Sequence, residues 1–147
     1  MPSANTSIKV CHNDLNNLNI LVCDTATYLI DYDYADFNYI AYDIANLINE
    51  TSFDYCPPQF PGFAVIKVYS PEELAKIAKN YPGYYPDLEE EVLKFMCVSN
   101  LYWGIWSLRR NELNVSEIFG ILEHGLKRIE LFEIYLKMVE KKYGKFA

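Results

Sequence analysis

Positive charge is almost missing from the first 60 residues. Lys9 is the only base there, against eight acids (Asp14, Asp24, Asp31, Asp33, Asp36, Asp43, Glu50 and Asp54), while residues 61–147 carry twelve of each sign. The whole formal net charge of -7 therefore lies in the front of the chain. Binding of nucleic acid or an anionic membrane relies on clustered Lys and Arg, so both partners are excluded, and metals or organic cations are invited instead. Glycine is sparse as well: the six residues are scattered and form no G-x-G-x-x-G phosphate cradle. Cys11, Cys23, Cys56 and Cys97 make no C-x-x-C pair and have no accompanying His spacing. That removes zinc knuckles and thioredoxin-like motifs and leaves reduced, buried thiols as the expectation. No run approaches the roughly 18 apolar residues of a membrane span, and the start lacks the charged and apolar regions of a secretory signal. The cytoplasm is the expected compartment, and the N-x-S/T triplets at Asn5, Asn49 and Asn114 read as chance matches.

What remains is a chain of 147 residues, 51% apolar and 22% charged, suited to one globular domain with a sizeable core. No repeat, low-complexity tract or linker divides it. β-rich runs at 8–11, 20–23 and 28–31, with a turn at 24–27, predict a hairpin-rich beginning. Helical spacing of Ile40, Ile44, Leu47 and Ile48 predicts a helix from about Tyr39 to Asp54, stopped by Pro57 and Pro58. Ser70-Pro71-Glu72-Glu73 starts a second helix, Asp87 with Glu90 a third reaching about Arg110, and Asn114 with Glu117 a fourth reaching about Tyr143. The fold class is α+β and mostly helical.

Candidate chemistry is concentrated in the first 55 residues. Between two strands lies Cys11-His12-Asn13-Asp14-Leu15-Asn16-Asn17-Leu18-Asn19, an H-x-D-x-x-x-x-N pattern. Phosphoryl transfer needs a carboxylate to orient the attacking hydroxyl and accept its proton, and an oxygen ligand nearby for magnesium. Asp14 and Asn19 have the spacing of those two groups in a kinase catalytic loop. Asp31, twelve residues past Asn19 at the end of the next hairpin, completes a set of hard oxygen donors. On spacing alone, Asp14 and Asn19 describe a solvated turn far more often than a site. Trp103 and Trp106, three apart on a predicted helix, read more often as core than as one wall of a cleft.

Residues 31–50, Asp31-Tyr32-Asp33-Tyr34 through Asn38-Tyr39 and Asp43-Ile44-Ala45-Asn46 to Glu50, closely resemble the signature I-D-F-E-Y-x-x-x-N-Y-x-x-x-D-I-A-N-x-x-x-E of the choline/ethanolamine kinase family. The preceding H-N-D-L-x-x-x-N resembles that family's catalytic loop, and Leu101-Tyr102-Trp103-Gly104-Ile105-Trp106-Ser107 its late aromatic motif. The resemblance thus covers most of the chain. It implies the C-terminal lobe of a protein-kinase-like fold, with a catalytic loop at 10–20, a metal and substrate segment at 28–55 and a helical remainder at 70–143. It also implies ATP- and magnesium-dependent phosphorylation of choline or ethanolamine. Asp14 would be the base, Asn19 and Asp31 the magnesium ligands, and Asn16 would stand where many relatives carry Gln. Tyr34, Glu50, Tyr55, Trp103 and Trp106 would line the amino-alcohol pocket, where aromatic faces and a carboxylate hold an ammonium. Asp43 would support the catalytic loop, and His12 would brace it.

Asn13 stands where protein kinases carry Arg, which favours a small-molecule kinase. The family's D-F-E-Y becomes Asp31-Tyr32-Asp33-Tyr34, and His124 occupies a usual pocket Tyr position. A protonated His124 would repel an ammonium, so substrate binding is expected to weaken below about pH 6.5. Kinase-like folds cover ATP with an N-terminal lobe bearing a Gly-rich loop and a Lys, and neither is found here. The chain is therefore expected to be a fragment, a truncated product or one piece of a longer polypeptide that transfers phosphate poorly alone, with homodimerisation open. Three alternatives stay open: a non-catalytic choline-binding or dimerisation module, an aminoglycoside-type phosphotransferase, and a metal-dependent glycosyltransferase using Asp31 and Asp33 on one strand face.

Overall fold

The computed structural model describes residues 8–112 and 120–145. Strand β1 (Ile8–Cys11) pairs antiparallel with β4 (Asp36–Tyr39), aligning Ile8 with Tyr39 and Cys11 with Asp36. Between them, β2 (Ile20–Val22) and β3 (Thr27–Leu29) form a second hairpin with Leu21 opposite Tyr28, closed by a turn in which the Cys23 N–H donates to the Ala26 carbonyl at 2.8 Å. The segment from His12 to Asn19 is thus held between two small ribbons. Helix α1 (Ile40–Glu50) follows β4 directly. It buries Ala41, Tyr42, Ala45, Asn46, Ile48 and Asn49, one face at helical spacing.

The expected continuation of α1 to Asp54 does not occur. Thr51 caps the helix, its hydroxyl donating to the Ile48 carbonyl at 2.7 Å, and β5 (Phe53–Asp54) pairs with β6 (Ala64–Val65). Phe53 is buried and joins the core, a tertiary gain that outweighs one more turn of helix. Helix α2 (Pro71–Lys79) starts with a complete capping box. The Glu73 N–H donates to Ser70 Oγ at 3.3 Å, and the Ser70 N–H donates to the Glu73 carboxylate at 2.9 Å.

Helix α3 (Leu88–Glu112) carries Glu89, Glu90 and Glu91 in its first turn and Arg109 and Arg110 in its last, each sign opposing the helix dipole. It lies against α1, α2 and α4 (Ile121–Tyr143). The Asn114 and Glu117 cap expected for the last helix lies outside the described residues. Leu74, Leu88, Val92, Leu93, Met96, Leu131, Tyr135 and Val139 form the centre of the core. Cys11 and Cys97 are buried, but Cys23 and Cys56 are exposed, which corrects the expectation of four buried thiols; all four are free. Among the described residues no helix is long and apolar enough to cross a membrane.

Two glycines bring α3 and α4 together. A Cβ on Gly104 would meet Ile129 Cδ1 at 2.8 Å, and one on Gly125 would meet Ser107 Cβ at 3.1 Å and the Gly104 carbonyl oxygen at 3.2 Å. Close approach there sets Trp103 and Ser107 opposite His124 and Arg128. Gly125→Ala ordinarily strengthens a helix by about 1 kcal/mol. Here the methyl presses on a helical carbonyl that cannot retreat, so overpacking of about 1–3 kcal/mol prevails. We expect a lower urea midpoint, corresponding to about 1 kcal/mol net loss; a raised midpoint would show that this contact does not set the spacing.

Candidate active site

The loop after β1 is organised by its own amides. Asn16 caps a short 3-10 turn (Asn17–Asn19), its Oδ1 accepting from the Leu18 and Asn19 N–H groups at 2.9 and 3.2 Å. Its Nδ2 donates to Asp14 Oδ1 at 3.1 Å, while Asn19 Nδ2 donates to Asp14 Oδ2 at 3.2 Å. Each oxygen of Asp14 is therefore fixed by one amide. Asp43, in the first turn of α1, accepts the His12 N–H at 2.7 Å and the Asn13 N–H at 2.8 Å, locking the loop to the helix. Asn13 has φ 64°, a left-handed conformation that Asn tolerates, and its Nδ2 donates to the Tyr34 carbonyl at 2.9 Å. His12 is buried and joins the loop to the hairpin. Its Nδ1 accepts from the Asp14 N–H at 3.3 Å, so Nε2 carries the proton and donates to the Ile30 carbonyl at 2.8 Å.

Asn19 and Asp31 lie on facing segments, because the Ile30 N–H donates to the Asn19 carbonyl at 3.0 Å. Asn19 is buried with its amide nitrogen turned to Asp14, which leaves Oδ1 without a partner among the described residues. The Asp31 carboxylate is exposed and also unpartnered there. Two hard oxygens suit magnesium, which takes one or two protein carboxylates and keeps waters. Among the described residues no group of three His, Cys, Asp or Glu side chains gathers into a metal cage. Asp31 has φ 61°, and Asp33 lies in a turn. They do not share a strand face, so the geometric basis of the glycosyltransferase alternative is lost.

Asp14, Asn16, Glu50, Tyr55, Trp103, Trp106 and His124 surround one cavity of about 150 Å³. Tyr34 buttresses its aromatic wall. Its ring meets Trp103 edge-on with centroids 5.5 Å apart, and its hydroxyl accepts from Trp106 Nε1 at 3.1 Å. Trp103 and Trp106 also meet edge-on at 5.6 Å, and Trp103 Nε1 donates to Asn46 Oδ1 at 2.7 Å. Burial pushes the Asp14 carboxyl above the ordinary carboxylate range, against the pull of the Asn16 and Asn19 amides, and nearby Glu50 pushes it further up. A carboxylate raised in this way is a better proton acceptor.

Two lining residues escape sequence reasoning, Ser107 and Arg128. Arg128 is 1% exposed, and its Nη2 donates to Glu50 Oε1. The same guanidinium donates to Asn100 Oδ1 and His124 Nε2, each at 3.4 Å, and lies 4.3 Å from the Phe53 ring centroid. Glu50 is therefore a paired carboxylate rather than a lone one. The signal for Arg128 was its place among His124, Leu131, Tyr135 and Val139 on one face of the last helix, where a basic residue on a core stripe demands an acidic partner. Ser107 offered no comparable signal. His124 is corrected as well. It is enclosed by Phe53 and Phe63, with centroids 5.2 and 5.3 Å away, and its Nδ1 bonds Ser107 Oγ at 3.0 Å. Burial and then the Arg128 charge lower its pKa to about 3, so it stays neutral where the sequence reading expected titration.

The model of the family described as choline/ethanolamine kinase matches residues 1–133. Among curated proteins, "Probable choline kinase 2" of Arabidopsis thaliana is 31% identical over 137 residues, covering 86% of this chain and 39% of that protein. "Ethanolamine kinase 1" of Mus musculus is 29% identical, covering 94% and 40%. A crystal structure of choline kinase from Cryptosporidium parvum superposes with a TM-score of 0.70 at 26% identity, covering 92% of this chain and 39% of that one. An ethanolamine kinase from Plasmodium vivax gives 0.67 at 26%, covering 91% and 36%. The chain spans about two fifths of the length of these relatives. The four helices and small antiparallel ribbons of the described residues match part of that larger fold.

A neutral His124 has a direct readout. In proton NMR its ring resonances should not titrate between about pH 5 and 8, the window in which an ordinary imidazole does so. A midpoint near 6.5, assigned by its loss in His124→Gln, would contradict the buried placement beside Arg128.

Proposed function

The chain belongs to the choline/ethanolamine kinase family, and from that premise we propose that it carries the amino-alcohol pocket and catalytic base of a kinase that phosphorylates choline or ethanolamine from ATP. In this reading it is the C-terminal lobe of a protein-kinase-like fold. The observation that carries the proposal is the placement of Asp14 and the Trp103–Trp106 pair around one small cavity. Two carboxylates, Asp14 and Glu50, and one guanidinium, Arg128, face that space, so its wall holds one net negative charge. Aromatic faces with a net negative wall suit an ammonium group. A volume of about 150 Å³ admits a molecule of a few heavy atoms and is below the range of drug-sized pockets, which disfavours an aminoglycoside.

With the ammonium against Trp103 and Trp106, the substrate hydroxyl lies toward Asp14. The carboxylate, held by Asn16 and Asn19, orients the hydroxyl and accepts its proton as the oxygen attacks the terminal phosphorus of ATP, and ADP leaves. Asn19 Oδ1 and the Asp31 carboxylate would hold magnesium, which would neutralise charge on the transferring phosphates. Asp43 and His12 act indirectly by fixing the backbone that presents Asp14. Arg128, the one basic residue lining the cavity, is committed to Glu50. The triphosphate's positive partners are accordingly assigned to a further lobe. The same observation favours a second reading, a binding module that captures the amino alcohol without transferring phosphate.

Calorimetry separates these readings. Choline or ethanolamine should bind the purified chain with half-saturation within the ~1 μM–1 mM range usual for substrates. Asp14→Asn removes the wall's net negative charge and should weaken that binding, while lowering phosphoryl transfer at saturating substrate at least ~100-fold in any preparation that turns over magnesium-ATP. Amino-alcohol binding without phosphoryl transfer in a preparation that also binds magnesium-ATP would support the module, binding of a UDP-sugar would revive the transferase, and binding of neither amino alcohol would overturn the proposal.

A further inference from the structure

The polar atoms around the cavity are matched to one another from within the protein. Glu50 Oε1 accepts from Arg128, and Glu50 Oε2 accepts from the Tyr55 hydroxyl at 3.0 Å. Asp14 Oδ1 and Oδ2 each accept a side-chain amide, from Asn16 at 3.1 Å and Asn19 at 3.2 Å. His124 bonds Ser107 through Nδ1 at 3.0 Å and receives Arg128 Nε at Nε2. Both indole N–H groups are also engaged, Trp103 with Asn46 Oδ1 and Trp106 with the Tyr34 hydroxyl. The wall thus presents ring surface and carboxylates whose first acceptor sites are taken.

A primary ammonium brings three N–H donors and strong hydration, and on entry every donor needs an acceptor. Here it would compete with Arg128 and Tyr55 for the same Glu50 oxygens. A quaternary ammonium brings no donor and a weakly hydrated, diffuse charge that aromatic faces accept directly. We propose that the Arg128–Glu50–Tyr55 clamp makes the pocket select the N-methylated end of the amino-alcohol series, with Tyr55 as a specificity-determining residue. This rests on the amino-alcohol reading of the pocket and adds the order of preference within it.

The chain's only tryptophans, Trp103 and Trp106, both line the cavity, so intrinsic fluorescence reports its occupancy. Titrations with ethanolamine, N-methylethanolamine, N,N-dimethylethanolamine and choline should give tighter binding at each step, with choline at least about tenfold tighter than ethanolamine. Tyr55→Phe keeps the stacked ring on Phe53, centroids 5.7 Å apart, and frees Glu50 Oε2. It should narrow the choline-to-ethanolamine ratio several-fold by improving ethanolamine binding, whereas a merely structural role would shift all four ligands equally. A flat or reversed order in the unmodified chain, or an equal shift of all four in Tyr55→Phe, overturns the preference alone. Failure of all four to bind overturns the pocket reading, and the preference with it. The unmodified series decides the order without depending on any variant's folding.

Discussion

A guanidinium that is 1% exposed cannot remain without an anion, and the pairing of Arg128 with Glu50 is the constraint from which the site takes its shape. Glu50 ends α1 and Arg128 lies in the second turn of α4, so the pair fixes two helices across the cavity they enclose. Removing one partner of such a buried pair costs about 3–5 kcal/mol, because the other charge is left uncompensated. The neighbours follow from it. Asn100 accepts from the guanidinium and donates to Asn49 Oδ1 at 2.8 Å, extending the network into α1 and α3. His124 is held neutral beside the same charge, and the Tyr55 hydroxyl is drawn to the remaining Glu50 oxygen. Electrostatic order in the pocket is thus settled by one cation that also belongs to the helical core.

The loop that carries Asp14 depends on a second, smaller device. One carboxylate, Asp43, accepts two consecutive backbone N–H groups and so presents the loop from the first turn of α1. Charge-assisted bonds of 2.7 and 2.8 Å are of the stronger kind and leave the loop little freedom. Asn46, one turn further, donates to the Leu15 carbonyl at 3.1 Å and accepts from both Ser99 and Trp103 at 2.7 Å. A single helix therefore positions Asp14 and the aromatic wall together. Phosphoryl transfer needs that coupling, since its catalysis is mostly placement and electrostatics.

Much of this was legible in the residues. Strand β1, the capping box at Ser70 and the end of the last helix at Tyr143 follow from local pattern and end signals. The contacts of Asp14 with Asn16 and Asn19 follow the H-x-D-x-x-x-x-N spacing, and the two tryptophans line the same cavity, as the family resemblance implied. What spacing cannot convey is pairing over distance. The two-residue strands β5 and β6 have no periodicity, and Phe53 left the expected helix because the core could take its ring. Arg128 is 78 positions from Glu50, so neither residue alone revealed that the pocket's carboxylate would be shared. The error about His124 has a related cause: its neutrality is set first by burial among aromatic rings distant in sequence, Phe53 and Phe63, and then by the Arg128 charge one turn away.

In the proposed function a cationic amino alcohol enters a cavity whose charge the buried pair has already set. A crystal structure of the chain with choline tests it most directly. The expected complex has the trimethylammonium group against Trp103 and Trp106, the hydroxyl within hydrogen-bond reach of Asp14, and Arg128 still bound to Glu50. Choline in place of Arg128 on Glu50, with the guanidinium displaced, or choline bound away from Asp14, would contradict it.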